Sequence, residues 1–435
     1  MPDLELAVPV EPEMDTLLKA LTEACQQISI LKTTFSAPQL LTALDSSDLY
    51  MSTTTHVQIH DLGEMLNKLV VKDSRFLGCS VRNVRDDGGD SAFYPDFVGS
   101  KLIHRTLETS SPKAAIEWLK KVLGTSAAAG NRIQALWGAP VAEEIQLTPN
   151  VKIAPIDAVP DGKQKKWTIR GSHSRNNSPI MSMLNFTKPQ SALMMGLQID
   201  PFIYDPGTEQ NFSSVEFTKA HELLLDITLA LTVVGPRSVI SAGQWFTFDD
   251  PDLEYAQLGI SRSFPMLEIL PNRPSSYPEL DPIEAPKGVR GYLALHGKTR
   301  DKVRVALQRL GQAQRRHNVG DRAVELSTAF ETLLGDNATS EMTHKIKVRS
   351  VRLLGGTGQV RKRNAAVINK AYDIRSRLVH TGHVDAAGTE AVCGHQMSVS
   401  EIINDTITMC ADLIKVIIER GSIPDWSIFD ITEQT

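Results

Sequence analysis

The sequence predicts an α+β N-terminal region followed by an all-α helical bundle. Three observations carry this expectation. From about Val141, short extended runs alternate with Pro and Gly. Residues 271–291 then hold five prolines: Pro271, Pro274, Pro278, Pro282 and Pro286. After them every stretch reads as helix with short connections. The expected division is a mixed α/β region at 1–140, a strand-rich region at 141–290 ending in a Pro-rich linker at 271–291, and a bundle at 295–432.

In chain order, Met14–Leu31 is amphipathic and predicts a helix. Asp86-Asp87-Gly88-Gly89-Asp90 predicts a turn, and residues 112–135 mix helix formers with a break at Gly130. Extended runs follow at Glu144–Leu147, Val151–Pro155, Lys166–Arg170 and Ala192–Tyr204. Lys163–Lys166 with Trp167 is basic plus aromatic, and is short enough to be an exposed hairpin. Phe217–Val234 predicts a helix stopped by Gly235-Pro236, and residues 244–270 read as extended.

Five helices are expected in the bundle. They are Asp301–His317, Asp321–Leu334 ended by Gly335, Ser340–Leu354 ended by Gly355-Gly356, Gln359–Thr381, and a last one to Arg420 stopped by Gly421. Ser398-x-x-Glu401 is a capping box that opens the last helix, after a loop around Ala386–Gly394. The tail Ile423-Pro424-Asp425-Trp426 is expected to fold back on the bundle.

Composition narrows the class. Of 435 residues, 41% are hydrophobic and 22% charged, the balance of a globular chain. No apolar run approaches the length of a membrane span and the N-terminus is not basic-then-apolar, so a soluble protein is expected. Cys25, Cys79, Cys393 and Cys410 are scattered, which argues against a zinc site or disulfide framework and fits a reducing cytoplasm. Cys393-Gly394-His395 lacks a second pair at ligand spacing. There is no P-loop, no Gly-x-Gly-x-x-Gly and no Gly-x-Ser-x-Gly, so no cofactor and no metal are expected.

The net charge of −5 hides an asymmetry. Residues 300–435 carry 19 Lys/Arg against 16 Asp/Glu, and the remainder is acidic. From Lys345 to Arg377 ten cations (Lys345, Lys347, Arg349, Arg352, Arg361, Lys362, Arg363, Lys370, Arg375, Arg377) meet one acid, Asp373. A solvated helix face explains most such runs; here the run leads into the most informative helix, and a polyanion would be drawn to it.

On that helix Val367, Ala371, Ile374 and Leu378 form an apolar stripe, widened by Ile368, Tyr372 and Val379. Arg375 falls inside the widened arc, where a cation needs a counter-charge. Ser376 and His380 are i, i+4 neighbours on the adjoining polar face, with Asp373 beside them. A structural reading pairs Arg375 with Glu325 or Glu331 and makes His380 a helix-end cap. A chemical reading uses an arginine, a hydroxyl and a histidine for metal-free phosphodiester cleavage. The Arg-x4-His spacing alone carries little weight, and Arg377 with His383 is a weaker second match.

Several stretches in order resemble a HEPN domain, most closely the Apea-like group associated with bacterial anti-phage abortive infection. They are Ala323–Leu334, Arg349, Tyr372-x-x-Arg375-Ser376-x-x-Val379-His380-x-Gly382, and Pro424-Asp425-Trp426. The resemblance covers about a third of the chain and implies a toxin-like, cytoplasmic, metal-independent endoribonuclease acting as a homodimer. Arg375 and His380 carry over directly as catalytic residues. Ser376 takes the polar position that many members fill with Asn, Asp or His. Some members have a nucleotide-accepting Tyr two residues past the histidine; here Gly382 stands there, so that control is not implied.

On this reading the RNA 2′-hydroxyl attacks, two His380 side chains share the acid and base roles, and two Arg375 side chains stabilise the phosphoryl charge. The products would carry 2′,3′-cyclic phosphate. Tyr372, Asp373 and Glu331 are expected to support the site, with Glu331 holding Arg375. Lys345, Lys347, Arg349, Arg352, Arg361, Lys362, Arg363 and Arg377 are expected to bind RNA, whether tRNA or phage and host transcripts. Residues 1–290 are expected to sense a phage-derived trigger or occlude the site. The alternative is a non-catalytic HEPN module that dimerises and binds RNA or a nucleotide.

Overall fold

The computed structural model describes residues 11–31, 61–69, 82–85, 90–93, 95–162, 165, 188–204, 214–254, 256, 262–263, 277–336 and 341–432. The Asp86–Asp90 turn (apart from Asp90), the Lys163–Trp167 hairpin (apart from Lys165) and the Lys166–Arg170 strand lie outside the described residues. The chain divides into two compact units. The first comprises Met1–Arg132, Gly196–Ser214 and Trp245–Arg262; the second comprises Ile133–Met195, Val215–Gln244 and Ser263–Thr435. Each unit joins segments far apart in sequence.

In the first unit α1 (Glu11–Leu31) buries Leu17, Leu21 and Ala24, spaced for one helical face. It packs on α2 (Pro95–Thr109) and α3 (Pro112–Gly124). Pro112 sits where a helix needs no N–H, and the Ser111 hydroxyl caps the turn by accepting from the Ala114 amide at 3.2 Å. Strand Arg82–Arg85 pairs antiparallel with both Asp90–Phe93 and Ile203–Tyr204.

A six-stranded sheet has the order Ile145–Thr148, Val151–Pro155, Ser191–Ile199, Ala128–Trp137, Ile240–Phe248, Arg262–Ser263. Its first pairs are antiparallel, with Ile145 opposite Ile153 and Ile153 opposite Leu193. Gly130, expected as a break, lies within a strand.

The second unit continues with α4 (Ser214–Ala230), α5 (Glu284–Leu293), α6 (Gly297–Arg315), α7 (Val319–Leu334), α8 (Met342–Leu354), α9 (Gly358–Thr381), α10 (Val399–Arg420) and the single turn α11 (Trp426–Phe429). One buried apolar cluster runs from Leu136 and Leu193 through Leu224, Val289 and Leu310 to Ile374, Ile414 and Phe429.

Polar contacts tie α4 into this unit. The buried Asp226 accepts from Arg300 at 2.6 Å and from the Tyr292 hydroxyl at 3.2 Å. The buried Gln134 amide donates to the Thr228 hydroxyl at 2.6 Å and accepts from Gln244 at 2.6 Å. Asp226, Gln134 and Thr228 thus find their partners across elements, as desolvation requires.

Part of the expected Pro-rich linker is instead α5. Ala285, Pro286, Val289 and Tyr292 are buried, and Asp281 accepts from the amides of Ile283 and Glu284 at 2.8 Å each. Pro286 falls in the first turn, where its missing N–H breaks no bond. Arg290 donates to the Leu147 carbonyl at 3.0 Å, so α5 is attached to the strand region.

The bundle helices fall close to their expected spans. The capping box is complete: the Ser398 amide meets Glu401 at 2.7 Å and the Glu401 amide meets Ser398 at 3.2 Å. The loop around Ala386–Gly394 contains a hairpin, Thr389–Val392 against His395–Ser398. Cys393 and Gly394 form its two-residue turn, with φ of 49° and 85°. Both are left-handed, as a tight hairpin turn demands.

Candidate active site

The candidate site lies on α9, whose ends are fixed by local chemistry. Thr357 accepts from the Val360 amide at 3.4 Å, and Gly382, at φ 70°, closes the helix by donating to the Leu378 carbonyl at 2.8 Å. Val367, Ile368, Ala371 and Ile374 are buried and Leu378 is packed against the core, as expected of the stripe. Val379 is not part of it: at 59% exposure it faces outward. Near Leu378 the start of α7 comes close through Gly320, where an added Cβ would sit 2.9 Å from a Leu378 methyl.

Arg375 is half-buried. Its Nε is buried and has no hydrogen-bond partner. Neither expected acid takes it. Glu325 is bound by Arg309 at 3.1 Å and Arg316 at 2.9 Å. Glu331 accepts a hydrogen bond from the Tyr372 hydroxyl at 3.4 Å. Glu331 therefore positions Tyr372 rather than Arg375, correcting the expected role. Burial first, and then the Glu331 charge, push the Tyr372 phenol well above its ordinary range, so it stays a neutral donor. Arg375, Val379, Ser376 and His380 occupy successive positions around roughly 140° of helix surface, from the 100° turn per residue. Ser376 is half-buried and His380 exposed. Asp373 is exposed, 3.8 Å from Lys370.

The basic run is less available than its sequence implies. Arg349 is 2% exposed. It meets Asp430 at 2.6 Å and Asp336 at 2.8 Å, bonds the Leu334 carbonyl, and lies over the Trp426 ring at 4.9 Å. Burial opposes its charge, yet hydrogen bonds with Asp430 and Asp336 outweigh that and raise its pKa. It is a structural clasp, and its expected RNA contact is corrected on that ground.

Lys345 pairs with Asp336 at 3.0 Å. Arg352 bonds the Asp430 carbonyl at 2.8 Å and also the Thr432 carbonyl, with its guanidinium over Phe429. Arg363 pairs with Asp405. Arg377 reaches Glu390 at 2.7 Å, and Lys370 reaches the same carboxylate at 3.1 Å. Within the run, Lys347, Arg352, Arg361, Lys362 and Arg375 have no acid in ion-pair contact among the described residues, and of these Lys362 is exposed.

Sequence reasoning missed the acids Asp336, Glu390 and Asp430 because they lie outside the run. Their only signal was position: one follows a helix stop, one lies in a loop and one near the tail. Among the described residues no group of three or more His, Cys, Asp or Glu is placed to hold a metal ion, and no helix is long and apolar enough to cross a membrane.

No family model matches the chain, and no curated protein or solved structure matches it.

Proposed function

We propose that the protein is a metal-independent endoribonuclease of the HEPN type, a cytoplasmic effector cleaving RNA in anti-phage defence. The observation that carries this reading is Arg375: a guanidinium with a buried Nε, no acid partner among the described residues, and an exposed imidazole one and a half turns further along the helix. A half-buried guanidinium without an acid partner gains from a phosphate, which supplies the counter-charge.

In the proposed reaction the 2′-hydroxyl loses its proton to one imidazole and attacks phosphorus. The 5′-oxygen leaves with a proton from a second imidazole, giving 2′,3′-cyclic phosphate and 5′-hydroxyl ends. One helix carries one His380, so the second comes from a second chain. The exposed Val379, between Arg375 and His380 on the helix surface, supports pairing of two such helices. Lys347, Arg361 and Lys362 remain to hold flanking phosphates.

Wild type and His380→Ala, matched for folding, are expressed side by side and total RNA is resolved on a gel, with and without phage. Cleavage confined to wild type, unaffected by EDTA, is the expected result. Equal cleavage by the variant, or products with 5′-phosphate ends, would sink the reading. Intact RNA in all lanes would leave the bundle a binding module.

A further inference from the structure

The hairpin of Thr389–Val392 and His395–Ser398 lies against α9. Its only acid, Glu390, divides its carboxylate between two cations of that helix. One oxygen takes the Arg377 guanidinium at 2.7 Å and the other takes the Lys370 ammonium at 3.1 Å. Two oxygens of one phosphate would bridge the same pair in the same way. At the hairpin tip the Cys393 thiol is 3.9 Å from the Lys362 carbonyl, so the hairpin follows α9 along its length.

Helix geometry places this pair next to the candidate site. At 100° per residue, Arg377 and Lys370 stand about 60° and 80° from His380 around the axis, on the side away from Arg375. The imidazole thus has Arg375 on one flank and the Glu390-bound cations on the other. The exposed Lys362 falls on the His380 line, nearer the start of the helix.

The contact is open to exchange. Arg377 keeps 45% of its side chain exposed and Lys370 30%, so an incoming anion can reach both. Among the described residues Arg377 meets no acid but Glu390, and Lys370 has only the more distant Asp373, at 3.8 Å, besides. Ion pairs this exposed contribute about 0–1 kcal/mol each. A strand of RNA brings several phosphates at once and gains from counterion release, so it outcompetes a single carboxylate.

We propose that Arg377 and Lys370 form a phosphate subsite for an RNA strand crossing His380, and that Glu390 fills this subsite in the free protein and is displaced when RNA binds. The subsite rests on the ribonuclease reading above and adds to it an internal occupant.

Full-length His380→Ala protein, which leaves RNA intact on that reading, is titrated into a fluorescently labelled oligouridylate at low salt. Adding Glu390→Gln should tighten binding about tenfold, because the competing charge is gone. Glu419→Gln removes the same charge from an ion pair with Lys287 elsewhere on the bundle, and should change affinity less than about twofold. Lys370→Gln/Arg377→Gln should weaken binding, and adding Glu390→Gln to that pair should then gain nothing. Binding that is unchanged or weaker with Glu390→Gln, equal tightening by Glu419→Gln, or tightening that survives loss of both cations overturns the subsite and leaves the ribonuclease reading standing. RNA bound by no variant overturns both. If Glu390→Gln fails to fold, hydrogen exchange of the His380→Ala protein decides: RNA should speed exchange across residues 389–398, and unchanged or slower exchange there overturns the displacement.

Discussion

Arg349 donates to Asp430 through two nitrogens, Nε at 3.1 Å to each carboxylate oxygen and Nη2 at 2.6 Å, across 81 residues of sequence. Removing one partner of a buried pair costs about 3–5 kcal/mol. The acids here are partly solvated, so Arg349→Ala should fall near the lower end. Arg349→Lys should recover little, since lysine cannot make the forked contact. Urea unfolding should show a lower midpoint with unchanged slope. Any RNA cleavage per folded molecule should stay the same, which separates a clasp from an RNA contact.

A methyl group at Gly291 would approach the Ile418 Cγ2 to 2.5 Å, where α5 meets α10. Because that carbon sits on the branch nearest the backbone, it has little room to yield. Gly291→Ala should destabilise by about 1–3 kcal/mol, as overpacking does, despite alanine's better helix propensity. Ile418→Ala in the same chain should return part of the loss, read as a coupling energy in a double-mutant cycle.

Arg375→Met should leave stability within about 1 kcal/mol of wild type, because the guanidinium has no bonded partner to orphan. Catalysis should respond differently. Loss of His380 as acid or base should lower cleavage by about 10²–10⁴-fold, and loss of Arg375 should lower it at unchanged folding. A thermal melt beside a cleavage time course tests both; a large fall in stability for Arg375→Met would reveal a structural partner instead.

Glu390 joins the hairpin to α9, and its carboxyl is held below the ordinary range, chiefly by the Lys370 hydrogen bond and with help from Arg377. A carboxylate whose folded pKa is lowered adds stability above its unfolded pKa, and that stability is lost as pH falls through the folded value. Wild type should therefore melt higher than Glu390→Gln at neutral pH. The two curves should converge as pH drops below the usual carboxylate range of about 4. A constant gap down to pH 3 would show that the charge is not what holds the hairpin.

The helices of the bundle were legible because caps and stripes are local: Ser398 with Glu401 and Gly382 after Thr381 mark ends that backbone geometry then obeys. α5 was not legible, because prolines that normally punctuate linkers here occupy its approach and first turn. The hairpin turn was hidden because Cys393-Gly394 is an unusual pair for left-handed positions. Charge was the least legible. Arg349 and Lys362 are alike in a sequence, yet one is buried between two carboxylates and the other is open to water, and only long-range packing decides which.

Asp226, well before the bundle, neutralises Arg300 and approaches Arg304 to 3.5 Å, while Leu136 and Phe429 belong to one buried cluster. The helix that carries His380 is therefore no detachable cassette. Cutting the chain near residue 295 would strip Arg300 and Arg304 of their counter-charge and bare the face of α10 that α5 covers. Because residues of 133–162, 188–195 and 215–244 share that cluster, they should melt with the bundle in one transition, and a 295–435 fragment should unfold at a lower temperature than the full chain.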